Sequence, residues 1–132
     1  MSAYLRPETF LSSSGVGFYI LTTLAAVILI MLISLVEMVT LQLLRWGNTR
    51  QAMRASLAMN LSSSVVWILL LVLFSQPNLR NLLIAWLIMV AIEGGVLTHM
   101  RPRTPGYNWF AAAVANLASY LILILPAFLY RG

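Results

Sequence analysis

Two glutamates lie inside long apolar segments of the sequence, and each is followed by an asparagine at the same distance. Glu37 precedes Asn60 by 23 residues, and Glu93 precedes Asn116 by the same number. Acidic side chains at membrane depth are rare, and one near the centre costs roughly 2.5–3.5 kcal/mol on insertion scales. An amide can compensate a buried carboxyl group, because Asn both donates and accepts hydrogen bonds. The spacing therefore predicts two Glu–Asn pairs inside a membrane.

The two pairs belong to a longer self-match at an offset of 56 residues. Three kinds of scarce polar residue recur at this offset without a gap: Glu37 and Glu93, Arg45 and Arg101, and Asn60 and Asn116. Ser63 and Ser119 also match. Apolar matches arise by chance in a hydrophobic chain, whereas matches of scarce polar residues do not. We interpret the chain as two helical hairpins, 16–74 and 78–130, which run in the same direction about a pseudo-two-fold axis along the membrane normal.

The depth of the paired residues in each hairpin supports their pairing. Glu37 lies eight residues before Arg45, or about 12 Å of helix, and Asn60 lies ten residues after Arg50, or about 15 Å. The two helices of a hairpin are antiparallel, so the two side chains reach a similar level. The second copy repeats this relation, with Glu93 eight residues before its own arginine.

Besides a Glu that binds a partner subunit or a lipid head group, two interpretations of these pairs remain open. In the favoured one each pair is a structural clamp, in which a protonated Glu donates to the Asn carbonyl or an ionised Glu accepts from the Asn amide. Ser63 and Ser119 extend the same helix faces as the asparagines. In the alternative, Glu37 and Glu93 form a proton or cation site.

The composition identifies the class of protein and excludes several kinds of chemistry. The 132 residues are 61% hydrophobic and 8% charged, against about 25% charged in soluble domains, and the mean hydropathy is +0.93. These values indicate an integral membrane protein. The chain has no Cys, no Asp and a single His. Disulfides and a Ser-His-Asp triad are thereby excluded within this chain, and no metal site, enzymatic activity or nucleic-acid partner is expected.

Four segments are long and apolar enough to cross a bilayer, which takes about 20 residues. They lie at about 16–44, 51–74, 78–98 and 107–130. The run ILTTLAAVILIMLISL is continuously apolar, whereas barrel strands alternate. The predicted fold class is therefore an all-α bundle of four transmembrane helices within a single membrane domain.

Local signals predict where these helices end. Residues 1–14 are interpreted as a short interfacial or extended segment before the first helix. Gly47 and Asn48 are expected to end that helix in a left-handed cap, and Thr49 to cap the second helix. Pro126 is expected to kink the fourth helix.

The distribution of arginines predicts the topology. Five arginines lie in or beside the two hairpin loops: Arg45, Arg50, Arg54, Arg101 and Arg103. Three lie toward the opposite side: Arg6, Arg80 and Arg131. The excess favours cytoplasmic loops and external termini in the cell membrane. The five loop arginines are also candidates for contact with anionic lipid head groups.

Several other residues near the loops have expected roles. Trp46, Tyr107 and Trp109 are placed at a cytoplasmic aromatic belt. Gly94 and Gly95 are expected to permit the close approach of another helix to the third one. His99, at the cytoplasmic end of that helix, is a candidate haem or pigment ligand, although a histidine at a helix C-terminus also interacts favourably with the helix dipole.

The sequence contains no recognised catalytic motif, so the favoured function is non-catalytic. We expect an integral membrane subunit that packs against other membrane proteins, or against itself, and stabilises or assembles the complex. One alternative is a small oligomeric ion or proton channel or transporter that uses Glu37 and Glu93. A further alternative is a pigment- or quinone-binding subunit of an electron-transfer complex. No particular cofactor is indicated.

Overall fold

The computed structural model describes residues 7–73 and 78–130, and within these ranges the described side chains run from Gly15 onward, except those of residues 67, 69–73 and 127–128. This part of the chain is helical and contains no strand. The helices are α1 (Pro7–Leu43), α2 (Thr49–Leu73), α3 (Leu79–Met100) and α4 (Pro105–Ser119). Helix α4 continues into a π segment (Tyr120–Ile124) and then into α5 (Leu125–Leu129). The all-α prediction is confirmed, while Arg6 and Arg131 of the topology argument lie outside the described residues.

Helix α1 begins earlier than the sequence pattern predicts. It starts at Pro7 and continues to Leu43, so residues 7–14 are helical and the expectation of an extended segment is wrong for them, while their interfacial position stays a prediction. Proline is favoured at the first helical position because its missing N–H would have no partner there in any case. The apolar pattern identifies the membrane-crossing part of a helix, but it does not report a polar extension at the end.

Arg45 is the residue that ends α1 in a left-handed conformation, with φ of 55°, whereas Gly47 has a negative φ. The Trp46 N–H donates to the Leu41 carbonyl at 2.9 Å, and the Arg45 N–H donates to the Gln42 carbonyl at 2.9 Å. This pattern is a Schellman cap, and its usual apolar contact is supplied by Leu41 and Trp46, both in the buried core. The expectation for Gly47 and Asn48 was therefore wrong.

Helix α2 is capped by Asn48 rather than by Thr49. The Gln51 N–H donates to Asn48 Oδ1 at 2.9 Å, and the Asn48 N–H donates to Gln51 Oε1 at 3.1 Å. This reciprocal pair is a capping box, which satisfies two backbone donors at the start of the helix. Local hydrogen bonds thus fix both the end of α1 and the start of α2.

Within the described residues, three helical stretches are long and apolar enough to cross a membrane. They are Gly15–Leu43, Leu79–Met100 and Pro105–Ile124. Helix α2 spans 25 residues, but several side chains in its second half lie outside the described set. A fourth crossing by α2 therefore stays a prediction.

The chain divides into two compact units, residues 1–31 and residues 32–132. In the first unit, the side chains of residues 18–31 are all exposed. The second unit has an alanine-rich core with a few larger side chains: Ala52, Ala55, Ala111, Ala112, Ala115, Leu41, Met59 and Leu97. Small residues allow helix backbones to approach closely, which is how helices pack in membranes.

The π segment of the fourth helix comes directly before the proline that was expected to kink it. The Leu125 N–H donates to the Tyr120 carbonyl five residues back, in place of the usual four. A proline inside a helix lacks its N–H and clashes with the carbonyl four residues earlier. A local widening to π geometry just before Pro126 is one way to accommodate that ring, and such bulges are a known cause of helix bending.

Gly94 is required by the packing of α3 against α4. A Cβ added at Gly94 would lie 2.5 Å from Cε3 of Trp109, whereas a Cβ at Gly95 would meet nothing within 4 Å. Trp109 lies on α4, so its ring occupies the space that a side chain at Gly94 would need.

We therefore expect Gly94→Ala to lower the stability of the folded protein and Gly95→Ala not to do so. Overpacking of this kind typically costs about 1–3 kcal/mol. Thermal unfolding in detergent, followed by circular dichroism, measures both variants against the parent. Equal melting temperatures for the two variants would contradict the packing of Trp109 on Gly94.

Candidate functional site

The six polar residues singled out by spacing are all buried in the second unit. They come from four helices: Glu37 on α1, Asn60 and Ser63 on α2, Glu93 on α3, and Asn116 and Ser119 on α4. None of them is more than 6% exposed. Polar groups buried to this degree must find hydrogen-bond partners within the protein or in bound water.

Each glutamate is held by the asparagine of its own hairpin. Asn60 Nδ2 donates to Glu37 Oε2 at 2.5 Å, and Asn116 Nδ2 donates to Glu93 Oε2 at 2.7 Å. Asn60 Nδ2 also donates to the Ser56 carbonyl at 2.9 Å, one turn earlier on α2. The structure thus brings together both pairs that the 23-residue spacing indicates.

The two serines cross between the hairpins. Ser119 Oγ, from the second hairpin, donates to Glu37 Oε1 at 3.3 Å. The Ser63 side chain, from the first hairpin, is close enough to the carboxyl group of Glu93 to interact with it, and its hydroxyl also donates to the Asn60 backbone carbonyl at 3.4 Å. Each carboxyl group therefore receives an Asn from its own hairpin and a Ser from the other. The sequence placed each serine beside its own asparagine and carried no signal for this exchange, because it depends on how the hairpins pack.

The two carboxyl groups are also close enough to interact with each other. Glu93 repels Glu37 electrostatically. These bonds connect the two carboxyl groups. The Ser119 hydroxyl lies within hydrogen-bond distance of both Glu37 Oε1 and the Asn116 backbone carbonyl, and the Asn116 side chain holds Glu93. The two Glu–Asn pairs therefore form one connected polar cluster, which we call the carboxyl cluster, made of Glu37, Asn60, Ser63, Glu93, Asn116 and Ser119.

Three buried oxygens beside the carboxyl cluster have no hydrogen-bond partner in the described protein. They are Asn116 Oδ1, Ser34 Oγ and the Tyr120 hydroxyl. Ser34 lies three residues before Glu37 and so shares its face of α1. Tyr120 is close enough to Glu93 for a negative charge on Glu93 to interact electrostatically with the Tyr120 hydroxyl group. Unpartnered oxygens of this kind mark positions where the cluster can accept a further partner.

A second polar network joins the two hairpin loops. Trp46 Nε1 donates to Asn108 Oδ1 at 2.9 Å, and Asn108 Nδ2 donates to the Arg101 carbonyl at 2.7 Å. The Tyr107 hydroxyl donates to the Leu44 carbonyl. Trp46 is 1% exposed, so its expected place in an interfacial belt was wrong. The indole of Trp46 can be buried because its N–H donates to the fully buried amide of Asn108. Nothing in the sequence singled out Asn108 as this partner.

The arginines and the histidine lie outside the carboxyl cluster. The side chains of Arg45, Arg50, Arg54, Arg101 and Arg103 are all exposed. The guanidinium of Arg101 lies 5.2 Å from the centre of the Trp46 ring, in cation–π geometry. His99 is exposed on the last turn of α3. Among the described residues, no group of three or more His, Asp or Glu side chains is placed to hold a metal ion.

If the Glu37–Asn60 bond is a structural clamp, Glu37→Gln should keep most of the stability, whereas Glu37→Leu should lose more. Gln retains the length and can still accept from Asn60. Leu removes the acceptor for both Asn60 and Ser119. A membrane hydrogen bond averages about 0.6 kcal/mol and rarely exceeds about 1.7, so the difference in unfolding free energy should be modest. Denaturant unfolding in mixed micelles measures it, and Ser62→Ala, at an exposed position on α2, serves as the control. Equal losses for Gln and Leu would contradict the clamp.

The residues of the site have to be interpreted from their own geometry. Comparison of the chain with family models, with curated proteins and with solved structures gives no match.

Proposed function

We propose that this protein is a non-catalytic integral membrane subunit that packs against other membrane proteins, or against a second copy of itself, and stabilises the assembly. In this proposal the carboxyl cluster is an internal clamp. The proposal is supported by the use of the polar side chains, since both glutamates accept hydrogen bonds from Asn and Ser within the helices. In the loop network, the side chains of Trp46 and Asn108 likewise form their hydrogen bonds with groups of the protein itself.

The observation that carries the proposal is the apolar surface of α1. Residues 18–31 form two-thirds of a membrane crossing, and every side chain in this stretch is exposed. Large apolar residues point outward on all sides, including Phe18, Leu21, Leu24, Ile28 and Met31, each more than half exposed. A helix that is apolar all round is suited to lipid or to other transmembrane helices as neighbours.

Site-directed photocrosslinking in native membranes tests this proposal. A photoreactive residue at Leu21, which is 68% exposed on α1, should crosslink to protein. A product of twice the chain mass identifies a second copy, and any other mass identifies a different subunit. The matched control is Leu61 on α2, which is 73% exposed and should give lipid adducts in preference. Lipid adducts alone at Leu21, together with a monomer by light scattering, would refute the subunit role.

We further propose that residues 16–74 and 78–130 are related repeats about an axis along the membrane normal, with both loops in the cytoplasm and both termini outside. The reciprocal Asn and Ser bonds support the repeat, since equivalent residues occupy equivalent places at the 56-residue offset. The loop network supports a common side for the two loops. Their five exposed arginines then act together as a cytoplasmic signal and as a surface for anionic lipid head groups.

Cysteine labelling in intact cells tests the topology, and the absence of native Cys makes it free of background. Leu79 and Thr104 flank α3 at opposite ends, both are exposed, and Thr104 makes no capping hydrogen bond with its side chain. We expect Leu79→Cys to react with a membrane-impermeant maleimide from outside and Thr104→Cys to react only after permeabilisation. The reverse pattern would mean that the loops are external.

A further inference from the structure

The carboxyl cluster contains two acidic groups and no compensating positive charge. Glu37 and Glu93 are 0% and 1% exposed, and they repel each other. Their partners on α2 and α4, Asn60, Ser63, Asn116 and Ser119, are all neutral. Two desolvated carboxylates this close to each other do not both remain ionised, because each disfavours the charge of the other.

Among the residues with described side chains, no charged group contacts the carboxyl cluster to supply the missing charge. On α2 the nearest arginine, Arg54, is exposed and lies six residues before Asn60. On α3 the other titratable groups are Arg80, which is exposed thirteen residues before Glu93, and His99, which is exposed six residues after it. On the fourth helix the titratable neighbour is Tyr120, which is neutral when protonated and itself feels the charge of Glu93. Within the described residues the cluster is therefore uncompensated, and a bound ion or proton can supply the charge.

The contacts favour a proton over a metal cation. Asn60 and Asn116 both direct their amide N–H groups at the carboxyl oxygens. A hard metal cation needs several oxygen ligands, and N–H donors directed at the same oxygens oppose it. A proton needs only one free lone pair on one carboxyl group, and the remaining lone pairs can keep their donors.

We propose that Glu37 and Glu93 together form a single site in the membrane that binds one exchangeable proton. The two groups then lose and gain protons as a pair. The buried oxygens without partners give the proton a way to exchange. Asn116 Oδ1 belongs to the amide that bonds Glu93, and Ser34 Oγ lies one turn from Glu37; these residues are 3% and 5% exposed. Oxygens in such positions bind water, and water exchanges protons.

Infrared difference spectroscopy of the protein in lipid nanodiscs tests this inference. Glutamate labelled with ¹³C identifies the carboxyl bands, and Glu8→Gln removes the third glutamate from the signal. We expect one protonated carboxyl group per chain at neutral pH, and a twofold larger band in acid. The neutral-pH band should shift in D₂O, because the proton exchanges. The double variant Glu37→Gln/Glu93→Gln should lose the band altogether, whereas Ser62→Ala should retain it.

Three results would overturn the inference. The first is the absence of a protonated carboxyl band at neutral pH. The second is a pair of protonated groups that respond to neither pH nor D₂O, as expected for clamps that never exchange. The third is loss of the band on adding Na⁺ at constant pH, which would assign the charge to a metal ion. Circular dichroism and gel filtration of the glutamine variants confirm that they remain folded. The proton site does not depend on the proposed subunit role, since the crosslinking at Leu21 probes a different unit of the chain.

Discussion

Hydrogen bonding of carboxyl groups that have no access to bulk water is the constraint on which the second unit depends. Glu37 and Glu93 come from different helices and are both fully buried, so every turn that faces them must present a donor. Asn60 and Asn116 do this within each hairpin, and Ser63 and Ser119 do it between hairpins. The four helices are thereby held in one register, because sliding any of them by one turn would leave a carboxyl group without its donor.

Small side chains make these bonds geometrically possible. Asparagine and serine are short, so they reach a carboxyl group on another helix only if the helix axes lie close together. The alanines at positions 52, 55, 111, 112 and 115 line the buried faces of α2 and α4. Gly94 performs the same role for α3, where its missing side chain leaves room for the Trp109 ring. The internal hydrogen bonds of the second unit therefore depend on the close packing of its helices.

The loop between α1 and α2 and the loop between α3 and α4 are held together by a separate set of contacts, which involve an indole and an amide instead of carboxyl groups. Arg45 ends α1 with a left-handed residue, and this brings Trp46 back onto the apolar core. The buried indole then bonds Asn108, and Asn108 bonds the carbonyl of Arg101 in the other loop. The neutral groups are turned inward while the arginine side chains remain outside. The same loops thus combine a desolvated network with a basic surface.

The sequence by itself determined the membrane class, the number and approximate limits of the helices, and which polar residues pair within each hairpin. Periodicity and hydropathy carry this information, and the 23-residue Glu–Asn spacing brings both side chains to a similar depth through the helical rise on each side of a short loop. Only the tertiary structure decided that the serines cross between hairpins, that Trp46 is buried against Asn108, and that Glu37 lies beside Glu93. The contact between Trp46 and Asn108 joins residues 62 positions apart, and the contact between Glu37 and Ser119 joins residues 82 positions apart. They depend on how close the helices come and how they are rotated, which local patterns do not encode.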